Sequence, residues 1–123
     1  MKTILLVDDS PTMLMSMETT LTRAGYGVLK ASSGEAALQG LAAGNRPNLM
    51  ITDLHMGGMN GLDLIREVRK SPAGRFMPIL MLTTESAQSR KDEAKAAGAT
   101  GWIVKPVEPE ALLGVVRQIL PSA

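Results

Sequence analysis

The sequence predicts an α/β fold in which a parallel sheet is covered by helices on both of its faces. Five short apolar runs alternate with longer segments of helical periodicity, and this alternation is typical of βαβ units with right-handed crossovers. Each run is too short for an ordinary helix and is flanked by turn residues, which favours a strand. The runs are also nearly continuously apolar, as expected of strands that are buried on both faces.

Polar residues follow most of the predicted strands. The strands are residues 4–7, 27–31, 49–52, 79–82 and 102–104. Four of them are followed directly by polar side chains, namely Asp8 and Asp9, Asp53, Thr83, and Lys105. The carboxyl ends of parallel strands lie along one edge of an open α/β sheet, and ligands bind at that edge. One site is therefore expected to hold three carboxylates, a hydroxyl and an amine.

Cap residues mark the ends of the five predicted helices. The first begins at Pro11 and closes at Gly25, the second is opened by 32–35 and closed by Gly44, the third is capped by Asn60, the fourth spans 86–97, and the fifth starts at 108–110. Pro at a first helical position and Gly just past a last one are the usual places of these residues. In the third helix, Arg66, Arg69 and Lys70 are predicted to point outward as a solvated face.

Composition excludes several classes of protein. With 123 residues the chain is long enough for one domain with a hydrophobic core, and no stretch is suited to a linker. The 13 basic and 12 acidic residues leave a net charge of +1, which argues against nucleic-acid binding by bulk charge. No cysteine is present for disulfide or thiol chemistry. The first apolar run is too short for a signal peptide or a membrane span, so a cytoplasmic protein is expected.

The three aspartates of the predicted site raise an electrostatic problem. Two unit charges about 4 Å apart repel by roughly 4 kcal/mol at an effective dielectric constant near 20, so Asp8, Asp9 and Asp53 require a cation or protons between them. Magnesium suits such a site, because it accepts one or two carboxylates and completes its octahedron with water and phosphate oxygens. Alternatively, Asp8 and Asp9 only cap the first helix, but capping does not explain the third aspartate on another strand.

Several motifs resemble those of a known family. They are LLVDDS at 5–10, TDLHM at 52–56, LT at 82–83 and VKP at 104–106. Each alone is weak evidence, but together, in this order and spacing, they resemble the receiver domain of bacterial response regulators, and in particular the stand-alone, CheY-like chemotaxis proteins. The resemblance implies a flavodoxin-like (βα)5 fold with a doubly wound, five-stranded parallel sheet in the order 2-1-3-4-5. It also implies one receiver domain over residues 1–123, with no output domain.

The resemblance assigns a role to each residue at the acidic site. It implies that Asp53 is the phosphoacceptor, a nucleophile that takes a phosphoryl group from a kinase phosphohistidine or a small acyl phosphate. Asp9, Asp53 and the backbone carbonyl of His55 would ligate Mg²⁺ (or Mn²⁺) directly, and Asp8 would contribute through water. Lys105 would pair with a phosphoryl oxygen.

The remaining implied roles concern switching. Thr83 would donate a hydrogen bond to the phosphoryl group, and Trp102 stands where the family has a switching aromatic. The peptide between Lys105 and Pro106 would be cis, as in the family. Trp102 is larger than the usual aromatic, so the alternative to a switch is a fixed, half-buried surface side chain.

Two positions near Asp53 depart from the family pattern. The usual proline four residues after the phosphoacceptor is Gly57 here, and Gly58 follows, which should loosen this loop in the inactive state. His55 occupies a variable position near the path of an attacking water. Its imidazole either tunes dephosphorylation or belongs to an exposed loop residue whose backbone alone matters.

The implied function is a single-domain response regulator that assists its own phosphorylation and dephosphorylation without being an enzyme. Its partners would be a histidine kinase of the CheA type, a flagellar motor switch protein or another downstream protein, and a possible phosphatase. It would be a monomer with no nucleic-acid partner and no membrane insertion. The alternative in the same class is a phosphate sink or shuttle receiver in a non-chemotaxis relay.

Alternatives from other classes fit the motifs less well. An aspartyl-nucleophile phosphatase generally has its nucleophile after the first strand and a second aspartate two residues later, whereas Asp53 follows the third strand and His55 stands two residues on. A nucleotide-binding loop at 57–61 lacks a following Gly-Lys-Ser/Thr, and Asp53 would repel the phosphate.

Overall fold

The structure, a computed structural model, describes residues 1–121 and confirms the predicted α/β fold. Five strands alternate with five helices along the chain. The strands are β1 (Thr3–Val7), β2 (Gly27–Ala31), β3 (Leu49–Thr52), β4 (Ile79–Thr83) and β5 (Gly101–Val104). The helices are α1 (Pro11–Arg23), α2 (Gly34–Ala42), α3 (Gly61–Lys70), α4 (Gln88–Ala97) and α5 (Pro109–Ile119).

All five strands pair in parallel in the order β2-β1-β3-β4-β5, as predicted. The register aligns the carboxyl ends of the central strands, because Val7 of β1 pairs with Thr52 of β3 and Thr52 pairs with Met81 of β4. Residues that directly follow these strands therefore come to the same edge of the sheet. Asp8, Asp53 and Lys105 meet at this edge.

Two apolar cores lie on opposite faces of the sheet, since successive strand residues point to opposite sides. On one face, Leu5 and Met50 pack with Ile65 and Val68 of α3 and with the buried residues of α2. On the other face, residues such as Ile4 pack beneath α1 and α5. The helices thus cover both faces, and the acidic edge lies between the two layers.

Cap residues begin the first three helices as their identities suggest. The side chains of Ser10, Ser33 and Asn60 each accept a hydrogen bond from the backbone N–H three residues later, at the starts of α1, α2 and α3. The α1 cap is Ser10, so capping does not account for Asp9. Gly98 ends α4 at a φ of 111°, a left-handed conformation that glycine adopts without strain.

Two sequence predictions need correction. The fourth helix was expected to begin at residue 86, but α4 begins at Gln88, because no side chain caps it and the Glu85 carboxylate instead accepts a hydrogen bond from the N–H of Ala87. The prediction that Arg69 belongs to a solvated face is wrong. Its guanidinium is half-buried and donates to the carbonyls of Gly74 (2.6 Å) and Gly98 (2.7 Å).

Strand burial also differs between the centre and the edge of the sheet. The central strands β3 and β4 are buried throughout, as their apolar runs predict. The strand β5 lies at the edge of the sheet and pairs with a strand on one side only, and it is only partly buried. Within residues 1–121, no helix combines the length and the apolar character needed to span a membrane.

Candidate functional site

The backbone hydrogen-bond pattern of the sheet continues one residue past the ends of β3 and β5. It positions Asp53 and Lys105, which are residues of the site. The N–H of Asp53 donates to the carbonyl of Val7 at 3.0 Å, which places Asp53 directly after β3 and beside the end of β1. The N–H of Lys105 donates to the carbonyl of Thr83 at 2.7 Å in the same way. The backbones of Asp53 and Lys105 are therefore held by hydrogen bonds to the neighbouring strands.

Lys105 bridges two of the carboxylates. Its Nζ lies 3.0 Å from Oδ2 of Asp8 and 3.0 Å from Oδ2 of Asp53. All three side chains are largely withdrawn from solvent, with relative exposures of 10% for Lys105, 3% for Asp8 and 13% for Asp53. The ammonium thus supplies the positive charge that the clustered aspartates require. The peptide between Lys105 and Pro106 is cis.

Contacts within the cluster keep Asp53 and Lys105 charged although both are partly buried. Burial by itself raises the pKa of Asp53, but hydrogen bonds from Lys105 and Thr83, the positive charge of Lys105 and the backbone N–H of His55 together lower that pKa below its usual value. Burial likewise lowers the pKa of Lys105, but hydrogen bonding and attraction to Asp53 and Asp8 raise it overall. Both groups are therefore ionised near neutral pH.

Asp9, the third aspartate, makes a different contact. It is exposed, and its Oδ2 accepts a hydrogen bond from the backbone N–H of Gly57 at 3.3 Å. Asp8, by contrast, accepts a 2.9 Å hydrogen bond from the N–H of Ser10 in addition to its contact with Lys105. No three acidic or histidine side chains within residues 1–121 converge closely enough to form a preformed metal cage.

The predicted switch residues Thr83 and Trp102 lie on the neighbouring strands β4 and β5. Thr83 is fully buried, and its Oγ1 accepts a hydrogen bond from the N–H of Glu85 at 3.4 Å. Trp102 is half-buried and packs against the core that contains α3. His55 is exposed, and its Nε2 lies 3.6 Å from Oε1 of Glu85.

Sequence reasoning did not identify the role of Gly61 in this site. A Cβ on Gly61 would overlap the carbonyl oxygen of Asp53, so only glycine lets α3 begin this close to the end of β3. The N–H of Gly61 donates to the carbonyl of Leu54 at 2.9 Å and fixes this approach. A glycine after the helix cap Asn60 was the available signal.

A doubly wound parallel sheet with carboxylates and a lysine clustered at its carboxyl edge is the architecture of receiver domains. A family profile described as the response regulator receiver domain matches residues 4–117. The chain belongs to this family, whose members are signalling proteins.

Individual relatives are similar over almost their whole length. Chemotaxis protein CheY1 of Helicobacter pylori is 42% identical over 118 residues, which cover 95% of each chain. The structure of Vibrio cholerae chemotaxis protein CheY4 matches with a TM-score of 0.92 and 42% identity, covering 97% of this chain and 98% of that one. The response regulator TrrA of Thermotoga maritima, solved in complex with Mg(2+)-BeF, matches with a TM-score of 0.85 and 34% identity, covering 97% of this chain and 99% of that one.

Proposed function

We propose that this protein is a phosphoacceptor response regulator in which Asp53 takes a phosphoryl group from the phosphohistidine of a kinase. The observation that carries the proposal is the position of Asp53. Its carboxylate stands at the end of a central strand, partly exposed, with a lowered pKa and a lysine ammonium at 3.0 Å. A carboxylate that is ionised, positioned and reachable is what a nucleophile for phosphoryl transfer needs.

The transfer forms a bond between a carboxylate oxygen of Asp53 and phosphorus and breaks the bond between phosphorus and the donor imidazole nitrogen. Negative charge on the phosphoryl oxygens is then neutralised by Lys105, whose ammonium is already fixed at the site. Thr83 supplies a hydroxyl from the neighbouring strand end. The protein acts as a stoichiometric acceptor that assists its own phosphorylation and dephosphorylation.

A divalent cation completes this proposal. The carboxylates of Asp8, Asp9 and Asp53 and the backbone carbonyl of His55 would hold it, and these are the hard oxygen ligands that suit Mg²⁺ or Mn²⁺. When bound, the cation would neutralise charge on the transferring group. The complex of TrrA with Mg(2+)-BeF supports this assignment.

The pathway we propose is chemotaxis, because relatives that are about 40% identical over nearly the full chain are named as chemotaxis proteins. The kinase would be of the CheA type, and the downstream partner a flagellar motor switch protein that contacts the face built from α4, β5 and α5. A phosphatase would be a further partner. We further propose that the protein is a cytoplasmic monomer with no nucleic-acid partner and no membrane insertion.

Phosphoryl stoichiometry tests this function. Incubation with acetyl phosphate or phosphoramidate and Mg²⁺ should add one phosphoryl group per chain, detected by intact-mass spectrometry under conditions that preserve acyl phosphates. Phosphate esters such as p-nitrophenyl phosphate should not be turned over. Multiple turnover of the ester would favour an aspartyl-nucleophile phosphatase and contradict the proposal.

A further inference from the structure

Asp9 is turned away from the cluster that its neighbours form. Asp8 and Asp53 both contact the ammonium of Lys105 at 3.0 Å, whereas Asp9 accepts a hydrogen bond from the backbone N–H of Gly57 at 3.3 Å. Across residues 1–121, no three acidic or histidine side chains converge as a metal cage would require. Asp9 therefore contacts the loop between β3 and α3, whereas Asp8 and Asp53 contact Lys105.

The space that a side chain at position 57 would occupy is empty. A Cβ built on Gly57 meets no atom within 4 Å, and its φ is outside the left-handed range in which glycine is required. The hydrogen bond to Asp9 connects this segment to the loop that follows β1, across 48 residues of sequence. A hydrogen bond to an ionised carboxylate is stronger than one between neutral groups. Gly57 thus acts on Asp9 through its backbone N–H alone.

We propose that the Gly57 N–H is a latch that competes with the divalent cation for the Asp9 carboxylate, and that Gly57 is therefore a positioning residue for metal loading. This inference rests on the metal site of the proposed function. A cation that takes the Asp9 carboxylate as a ligand must turn it out of the hydrogen bond with Gly57. Metal binding then frees the Gly57 N–H from Asp9, and by linkage this hydrogen bond lowers the affinity for metal by the same factor.

Two substitutions at one position isolate the N–H. Gly57→Pro removes the donor, while Gly57→Ala keeps it and adds a methyl group into open space. Both restrict the backbone relative to glycine, so the comparison between them does not depend on loop flexibility alone. Titration with MgCl₂ in the absence of any phosphodonor, followed by calorimetry, should give a Kd for Gly57→Pro that is roughly two- to tenfold lower than wild type. The Kd of Gly57→Ala should stay within about twofold of wild type.

A second measurement uses the unsubstituted protein and does not depend on whether the proline variant folds. The water-exchange rate of the Gly57 amide, measured by ¹⁵N NMR, should rise when Mg²⁺ saturates the site. In Asp9→Ala, which removes the acceptor, the amide should exchange quickly before any metal is added. These rates report the hydrogen bond itself and involve no phosphorylation.

The outcomes separate the latch from the metal site. If wild type binds Mg²⁺ but Gly57→Pro binds it no more tightly, or if saturating Mg²⁺ leaves the Gly57 amide unchanged, the latch is overturned and the proposed metal site stands. If the wild-type protein binds no Mg²⁺ at millimolar concentrations, the metal assignment of the proposed function itself is overturned.

Discussion

The indole N–H of Trp102 donates a 3.0 Å hydrogen bond to the backbone carbonyl of Glu85. The N–H of the same Glu85 donates to Oγ1 of Thr83, at 3.4 Å. The backbone of one residue therefore links the buried hydroxyl beside Asp53 to the half-buried indole on β5. A movement of the Thr83 hydroxyl toward a phosphoryl group removes the acceptor of the Glu85 N–H, and the carbonyl that holds Trp102 is free to move with it.

This link predicts a fluorescence change on phosphorylation. Trp102 emission should change when phosphoramidate and Mg²⁺ are added to the wild-type protein, because the indole loses or alters its hydrogen bond to Glu85. Thr83→Ala should remove most of that change while still being phosphorylated, since it deletes the group that biases the two states. Stopped-flow emission, with Thr84→Ala as an exposed neighbouring control, makes the comparison. An identical signal in wild type and Thr83→Ala would mean that Trp102 reports the metal or the phosphate directly.

The amine of Lys105 should not be replaceable by another cation. Lys105→Arg keeps the charge but substitutes a planar fork for the compact ammonium that reaches Asp8 and Asp53 together. Phosphorylation should survive in this variant, and the Trp102 emission change on phosphorylation should not. An arginine variant that gives the full wild-type change would show that charge alone is sufficient.

The ionisation of the cluster predicts how stability depends on pH. The pKa of Asp53 is lowered, so its contribution is present above the ordinary aspartate value of 3.8 and is lost as pH falls through the lower folded value. The pKa of Lys105 is raised, so its contribution is present below the ordinary value of 10.5 and is lost as pH rises through the higher folded value. Between these limits the pair's contribution to the free energy of unfolding should be constant.

Removal of the Lys105 ammonium should reverse the direction in which the free energy of unfolding changes at acid pH. Lys105→Met leaves Asp8 and Asp53 buried without a cation, which should cost about 3 kcal/mol of unfolding free energy in EDTA at neutral pH. The variant should then become more stable as pH is lowered toward about 5, because the unpaired carboxylates take up protons. Urea denaturation at several pH values measures both effects. Loss of stability by the variant over that same acid range would contradict the assigned pairing.

Asp9 should contribute to metal binding more than to the fold. Asp9→Asn keeps an oxygen that can accept from the Gly57 N–H but removes a negative charge next to Asp8. The metal-free protein should unfold at the same or slightly higher free energy, by up to about 1 kcal/mol, because repulsion is relieved. Mg²⁺ affinity should fall clearly. An unchanged Mg²⁺ affinity in this variant would remove Asp9 from the set of ligands.

The sequence was sufficient for the fold because alternating apolar runs and caps act locally. It also indicated which side chains meet at the sheet edge, since a residue that directly follows a parallel strand has only one edge to occupy. Contacts made through loop backbone were not predictable in this way. The hydrogen bonds from Gly57 to Asp9 and from Arg69 to Gly98 depend on where loop amides and carbonyls lie, and residue types alone do not specify those positions.

The phosphoacceptor role of Asp53 is the central claim and has a direct test. Wild type and Asp53→Asn should be incubated with phosphoramidate and Mg²⁺ and compared by intact-mass spectrometry, with Asp63→Asn as a control because Asp63 is an exposed aspartate on α3. Wild type and Asp63→Asn should each gain one phosphoryl group, and Asp53→Asn should gain none. Normal labelling of Asp53→Asn would place the nucleophile on another residue and contradict the account.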